Sequence, residues 1–321
     1  MRQYILQRLL LAVPLLLGIT VITYTIINVA PGDPITALIN PEELALLSQA
    51  ELQARREDLG LNKPLPVRYL LWLKELGRGN LGFSIQNRRP VAQLILARLP
   101  ASLALSATSI VLAMTLGVAL GVVSALKQYS ALDYVLTVAA FFGLSVPGFF
   151  FALMGIFIFG VKLQWLPVFG MWTPGRPTTI NLDLLHHAVL PVMALTITHV
   201  AGYMRYARAA TLDALAGDYV TTARAKGLSG AVVLWVHVFR NALLPLVTIA
   251  GLVLPGLISG SFIIETIFSW PGIGQLGYTA ILQRDYPLQM GIALMAAVAV
   301  LLANLLTDIA YSLVDPRIRY D

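Results

Sequence analysis

Uncharged apolar runs of membrane-crossing length alternate with short charged breaks along most of this chain. Six such runs stand out: Arg8 to Asp33, Arg98 to Lys127, Asp133 to Lys162, Asp183 to Arg205, Arg240 to Glu265 and Asp285 to Asp308. Each is long enough for the roughly 20 helical residues that cross a hydrocarbon core of about 30 Å. The pattern predicts spans at 9–29, 101–125, 134–160, 188–207, 245–265 and 287–311. Backbone polar groups in lipid need internal partners, so open strands are excluded. The expected fold is an all-α membrane protein, a bundle of six transmembrane helices. Pro147-Gly148 and Pro255-Gly256 fall inside two of these spans and predict kinks.

The polar remainder divides the chain into three parts: residues 1–30 as an N-terminal span, 31–98 as an outer segment, and 99–321 as a core with five spans. In the outer segment, Leu44, Leu47, Leu52 and Leu59 lie on an approximate helical stripe that Gly60 would end. Pro64 and Pro66 then introduce a second short helix, Val67–Leu76, closed by Gly77 and Gly79. About 68 residues of this polarity make a poor independent core. The segment is expected to be mostly helical and to cap the outer mouth of the bundle. It serves there either as a plug or as a docking surface for an external partner.

Cations set the orientation. Arg2, Arg8, Lys127, the Arg205–Arg240 region, Arg317 and Arg319 all fall on one side of the six-span pattern, and short cytoplasmic loops collect Lys and Arg. Both termini are therefore expected in the cytoplasm. The first run has no small-x-small cleavage site, and it reads as a retained span rather than a signal peptide.

Composition agrees with the hydropathy. The chain has 321 residues, 58% hydrophobic and 12% charged, with a mean hydropathy of +0.78. A soluble domain carries about 25% charged residues. The net charge of +6 is spread over several loops and the aromatics sit in apolar runs, so no nucleic-acid surface is implied. Absence of cysteine excludes disulfides, thiolate metal sites and a cysteine nucleophile. His186, His187, His199 and His237 have no metal-ligand spacing, so no metal site is expected. His186-His187 reads as a solvated pair at the outer interface, and His199 as a hydrogen-bonded residue of the bundle. Trp165, Trp172 and Trp270 fit an interfacial aromatic belt. Glu265 and Asp308, near span ends, are expected to be structural, with Asp308 pairing to Arg205 or Arg208.

The loop from about 208 to 244 interrupts the apolar pattern with Arg208, Arg224, Lys226 and Arg240. Asp218 is a candidate N-cap that also complements the helix dipole. Tyr219–Lys226 then reads as a two-turn helix with small residues Thr222, Ala223 and Ala225, ended by Gly227 in the left-handed conformation. A second helical run is expected from Ala231 to Leu244. A short helix with a small-residue surface can enter closely into a groove on another protein. The alternative is a basic loop that serves topology only.

The stretch TARAKGLS, followed by VHVFRNALLP, resembles the EAA-type coupling loop of bacterial ABC-importer permeases, in particular the dipeptide/oligopeptide branch. Thr221-Thr222-Ala223 stands where the general motif has Glu-Ala-Ala, and the gap from Gly227 to Leu244-Pro245 is longer, as in that branch. Asn28-Val-Ala-Pro-Gly-Asp-Pro34, Gly79-Asn-Leu-Gly-Phe-Ser84, Glu265-Thr-Ile-Phe-Ser-Trp-Pro-Gly-Ile-Gly274 and Asp315-Pro-Arg-Ile-Arg319 are similar to the family elsewhere. The resemblance implies a type I permease bundle in the bacterial inner membrane. It implies pairing with a second, homologous permease, two ABC ATPase subunits and an extracytoplasmic solute-binding protein. Asp218, Tyr219, Thr221, Thr222, Ala223, Arg224, Ala225, Lys226 and Gly227 would form the ATPase-coupling helix. Peptides are the implied cargo, although relatives also carry nickel, glutathione or oligosaccharides.

No GxxxxGK[ST] occurs in the chain, so it has no P-loop for nucleotide. It is therefore expected not to be an enzyme, with no catalytic residue or cofactor of its own; ATP and Mg2+ would sit on the partner ATPases. The rival class, an autonomous secondary carrier, should bury carboxylates at midplane or show inverted repeats with broken helices. Neither pattern is evident in the sequence.

Overall fold

The computed structural model describes residues 2–30, 48–58, 60–176, 179–242, 249 and 261–314. The first elements are α1 (Arg2–Val29), α2 (Gln49–Asp58), α3 (Leu65–Leu76), α4 (Val91–Leu126) and α5 (Ala131–Ser145). Next comes α6 (Gly148–Gly155), which widens into a π-helical stretch over Ile156–Lys162, and then α7 (Leu182–Leu215) and α8 (Asp218–Ala225). The chain continues through α9 (Gly230–Val232), a π-helical run Val233–Val238, α10 (Phe262–Ile267), α11 (Ile273–Leu282) and α12 (Tyr286–Val314). Apart from an isolated bridge between Phe83 and Pro90, the described residues form helices and turns.

Among the described residues, four helices, α1, α4, α7 and α12, are long and apolar enough to cross a membrane, and α5 with α6 makes a fifth candidate if the pair counts as one span. The run expected as a straight span over 134–160 is bent by 98° between α5 and α6. Pro147 lacks the amide that would continue the helix and forces Val146 into an extended conformation (φ −88°, ψ 128°). The expected fifth span lies largely outside the described residues, as does Pro255-Gly256. At 36 and 34 residues, α4 and α7 reach about 54 and 51 Å at 1.5 Å per residue, so both extend beyond a 30 Å core. α4 starts at Val91, ahead of the span expected at 101.

The spine of the molecule is α4 laid along α7 in the same direction. The Thr196 hydroxyl donates to the Ser109 carbonyl at 3.4 Å. Further along, a Cβ on Gly117 would lie 2.6 Å from Tyr203 Cβ, and one on Gly121 would meet the Met204 carbonyl and Ala207 Cβ. Gly117 and Gly121 thus form a small-xxx-small seam that lets two backbones approach. Nothing in the hydropathy pattern marked it, because glycine is neutral to that pattern. At the α4 N-terminal end, Val91, Leu94, Ile95, Ile273, Leu276 and Leu288 form one apolar cluster; nearer the middle, Leu105, Ala152, Leu190, Phe268 and Trp270 form another. α1 packs along α12.

Polar residues buried among these helices fasten elements together. Glu265 is fully buried: Ser102 Oγ donates to its carboxylate at 2.8 Å, and the Gly274, Gln275 and Ser261 amides donate at 2.7, 3.2 and 3.2 Å. Its structural role stands, although the surroundings are Ser102 and backbone amides rather than headgroups and water. Asp285, also fully buried, accepts from Ser84 Oγ at 2.5 Å and from the Ile85 and Gln86 amides at 3.2 and 3.3 Å. That cluster fastens the outer segment to the start of α12. The segment's α3 begins at Leu65, two residues before the expected start, with Pro66 tolerated in its first turn. Gly60 and Gly79 take positive φ (67° and 78°), as turn glycines do. Of the expected first outer helix, Leu44, Leu47 and Leu59 lie outside the described residues, and Leu52 falls in α2.

Four expectations need correction. Asp308 pairs with Arg8 at 2.9 Å, not with Arg205 or Arg208, because α12 packs against α1. His187 is buried, with Nδ1 near the Phe169 and Gly170 carbonyls at 3.1 and 3.2 Å and Nε2 3.2 Å from Thr173 Oγ1; His186 Nε2 lies 2.9 Å from the Trp165 carbonyl. The buried His187 holds the loop between α6 and α7, while His186 is exposed, as expected, and touches the same loop. Trp270 is buried and donates its indole N–H to the Ala101 carbonyl at 3.0 Å, so it belongs to the core and not to an interfacial belt. His199 makes no hydrogen bond among the described residues and lies 6.4 Å from the Tyr203 ring, at an exposed position on α7.

Candidate coupling site

At the end of the spine opposite Val91, α7 hands the chain to the helix singled out in the sequence. α7 ends at Leu215, Gly217 turns extended (φ −69°, ψ 142°), and α8 starts at Asp218. Gly217 therefore occupies the N-cap position, and Asp218 is the first helical residue, one place beyond the expected cap. Its carboxylate still lies in the first turn, where the helix dipole favours negative charge. Tyr219 folds back and donates its hydroxyl proton to the Ala214 carbonyl at 2.9 Å, with its ring over Gly217. A side chain at 217 would collide with that ring.

One face of α8 is buried. Val220 (1% exposed) and Ala223 (4% exposed), three residues apart, pack with Ala210 and Ala214 of α7 and with Val233, Val238 and Ala242 of the following segment. Asp218, Tyr219, Thr221, Thr222, Arg224, Ala225, Lys226 and Gly227 stand on the exposed side. The Thr222 hydroxyl donates to the Asp218 carbonyl at 3.0 Å, which turns its polar atom inward and leaves a methyl outward-facing. Val220 is the residue that sequence reasoning missed as the helix's anchor. Its apolar spacing of three from Ala223, in an otherwise polar octet, was the available signal.

The C-terminus of α8 closes as a full Schellman motif. Gly227 takes φ +72°; its amide donates to the Arg224 carbonyl at 3.0 Å, and the Leu228 amide donates to the Ala223 carbonyl at 3.3 Å. The expected left-handed Gly227 is therefore present. The next helical turn starts at Gly230, capped by the Ser229 hydroxyl, and widens into the π-helical run. Leu228, Val232, Trp235 and Val236 are exposed beside α8.

Arg208 does not share the exposed face. Its guanidinium makes two bonds to Asp133, Nε at 2.9 Å and Nη2 at 2.8 Å, while Ser124 Oγ donates to the same carboxylate at 2.5 Å. This cluster ties the last turns of α7 to the α4–α5 turn, about two helical turns before α7 ends.

The arrangement is an anchored, two-turn helix presenting small and cationic residues at the end of a membrane bundle, and sequence comparison identifies the setting. The family described as binding-protein-dependent transport system inner membrane component matches residues 117–320, and the description of its N-terminal part matches residues 1–106. The chain belongs to that family. It is 44% identical to the oligopeptide transport system permease protein AppB of Bacillus subtilis over 321 residues, all of both chains. It is 38% identical to the dipeptide transport system permease protein DppB of Alkalihalophilus pseudofirmus over 338 aligned positions, again all of both chains. The dipeptide transport system permease protein DppB of Escherichia coli K12 is 35% identical, over 100% of this chain and 99% of that one. The chain is thus a permease-type inner-membrane component.

Proposed function

We propose that this chain forms half of the translocation pathway of an ATP-driven importer for dipeptides or oligopeptides. A homologous permease completes the pathway, two ABC ATPase subunits bind at the cytoplasmic end, and an extracytoplasmic solute-binding protein delivers cargo from the other side. The chain crosses the membrane six times with both termini in the cytoplasm. It carries no nucleotide site, and ATP with Mg2+ is bound by the ATPases. The peptide assignment is supported by the names of the relatives, all aligned along nearly the full chain.

The observation that carries the coupling role is α8 itself. Val220 and Ala223 hold it against α7, while Thr221, Thr222, Arg224, Ala225, Lys226 and Gly227 leave a low-profile surface outward. A helix of eight residues is too short to persist alone, so its burial against α7 makes it part of the same rigid unit. Closure of two ATPases pushes that unit, and the bundle exchanges outward and inward openings by rigid-body rotation.

Because the chain has no cysteine, Thr222→Cys introduces a single thiol. In membranes containing the whole transporter, a short reagent that is thiol-reactive at one end and photoreactive at the other should join this position to an ATPase subunit, and ATP should change the yield. A cysteine on the outer segment, such as Lys74→Cys, should give no such product. Equal cross-linking at both positions, or none at Thr222→Cys, would contradict the proposal.

A further inference from the structure

At the other end of the bundle, a cavity of about 250 Å³ lies between the end of α1, the outer helix α3 and the start of α12. Its walls carry an unbalanced set of polar groups. Lys63 and Arg68 both line it, and no Asp or Glu does among the described residues. Neither cation has a carboxylate partner among the described residues. Trp72 also lines the cavity, and its indole N–H is buried with no acceptor among the described residues. A buried donor without a partner carries the full cost of desolvation. Two cations and an orphan donor around one opening call for an acceptor with negative charge.

The remaining walls indicate where that acceptor comes from. Leu61, Leu71, Pro287 and Met290 make one side apolar, and Tyr24 and Tyr286 frame the opening. Tyrosines of this kind concentrate at the level of lipid headgroups. Tyr24 also stacks on the outer segment, 5.3 Å from the Tyr69 ring, which in turn lies 6.0 Å from Trp72. On α1 itself, Val21, Ile22, Ile26 and Val29 are exposed, so the cavity borders a helix surface of lipid-compatible side chains. Basic pockets between membrane helices select anionic headgroups by the same combination of charge and apolar wall.

We propose that this cavity is a binding site for the phosphate headgroup of an anionic phospholipid. The phosphate sits between Lys63 and Arg68 and accepts from the Trp72 indole, while the glycerol and first methylenes rest on Leu71 and Met290. The bound lipid would bridge α1, α3 and α12, holding the outer segment to the bundle alongside the Ser84–Asp285 contact.

Native mass spectrometry on the full chain, purified with its associated subunits and delipidated, tests the site. The probes are phosphatidylglycerol and phosphatidylcholine in mixed micelles, and inorganic phosphate alone. Phosphatidylglycerol should be retained in preference to phosphatidylcholine, and Lys63→Gln and Arg68→Gln should each weaken it about fivefold. Trp72→Phe, which keeps the ring and removes the donor, should weaken it about tenfold. Lys63 is exposed and Arg68 half-buried, and an unchanged thermal unfolding midpoint in detergent reports that the variants are folded. Equal retention of the two lipids, or a phosphatidylglycerol preference untouched when Lys63→Gln and Arg68→Gln are combined, would overturn the proposal. Inorganic phosphate bound alone with the same dependence on Lys63 would assign the cavity to a free anion, and displacement of the lipid by a dipeptide would assign it to cargo. Either result would also overturn it.

Discussion

Gly227 gives the sharpest handle on the coupling helix, because its role is confined to the backbone. A Cβ built there meets nothing within 4 Å, so substitution adds no clash inside this chain. What it adds is strain at φ +72°. An L-residue in the left-handed region costs about 1–2 kcal/mol, asparagine rather less because its side chain can bond locally, and a β-branched residue about 3 kcal/mol. These costs act on a helix with little margin. Burial of Val220 contributes about 2 kcal/mol, the Ala223 methyl about 0.8 kcal/mol, and each of the two Schellman hydrogen bonds about 1 kcal/mol. Gly227→Asn should therefore leave α8 ordered, Gly227→Ala should loosen it moderately, and Gly227→Val should remove most of its stability. In proteoliposomes holding the complete transporter, ATP-driven uptake should fall in the order Gly, Asn, Ala, Val. Gly227→Val should abolish coupled uptake while the chain still inserts to wild-type levels. Normal uptake by Gly227→Val would refute the coupling role. An order that follows side-chain size, with alanine better than asparagine, would place the effect in contact with a partner rather than in backbone strain.

Other perturbations test the frame that holds the helix. Asp133→Asn leaves Arg208 without its carboxylate; a broken buried pair costs about 3 kcal/mol, and thermal unfolding in detergent should shift down while Glu at 133 restores part of the loss. Gly121→Leu places a side chain against the Met204 carbonyl and Ala207, and should prevent α4 and α7 from packing, read as loss of protease-resistant protein in membranes. Glu265→Ala strands the Ser102 hydroxyl and the Gly274 amide, each costing about 1–3 kcal/mol, and should destabilise more than Glu265→Gln, which keeps an acceptor oxygen. Equal stability of the Ala and Gln variants would contradict the proposed network.

The sequence made the helical elements legible where charge and hydropathy change together. The runs ending at Lys127 and starting near Asp183 correspond to α4 and α7, and the eight residues after Gly217 emerged within one position of their observed start. Gly60 and Gly227 were readable because a left-handed residue after a helical stripe has few alternatives to glycine. Pairings between distant segments were not readable. Asp308 chose Arg8 over two closer-seeming arginines because α1 and α12 pack together, a fact no local pattern encodes. Glu265 looked like an edge residue by hydropathy, yet the chain returns through Trp270 to bury it under Gly274. The Gly117–Gly121 seam was invisible to a scale that scores apolarity, since its signal is absence of side chain. At the coupling site the exposed residues came from motif resemblance, while Val220, which holds them in place, required the packing.

Co-purification of this chain from its native membrane, with mass spectrometry of the associated subunits and an assay of ATP hydrolysis driven by cargo, tests the central claim most directly. The account predicts recovery of a homologous permease and P-loop ATPases, with a solute-binding protein whose bound ligand is a peptide and whose addition stimulates hydrolysis. A chain that purifies alone and moves solute in vesicles without any ATPase would contradict it and favour an autonomous carrier.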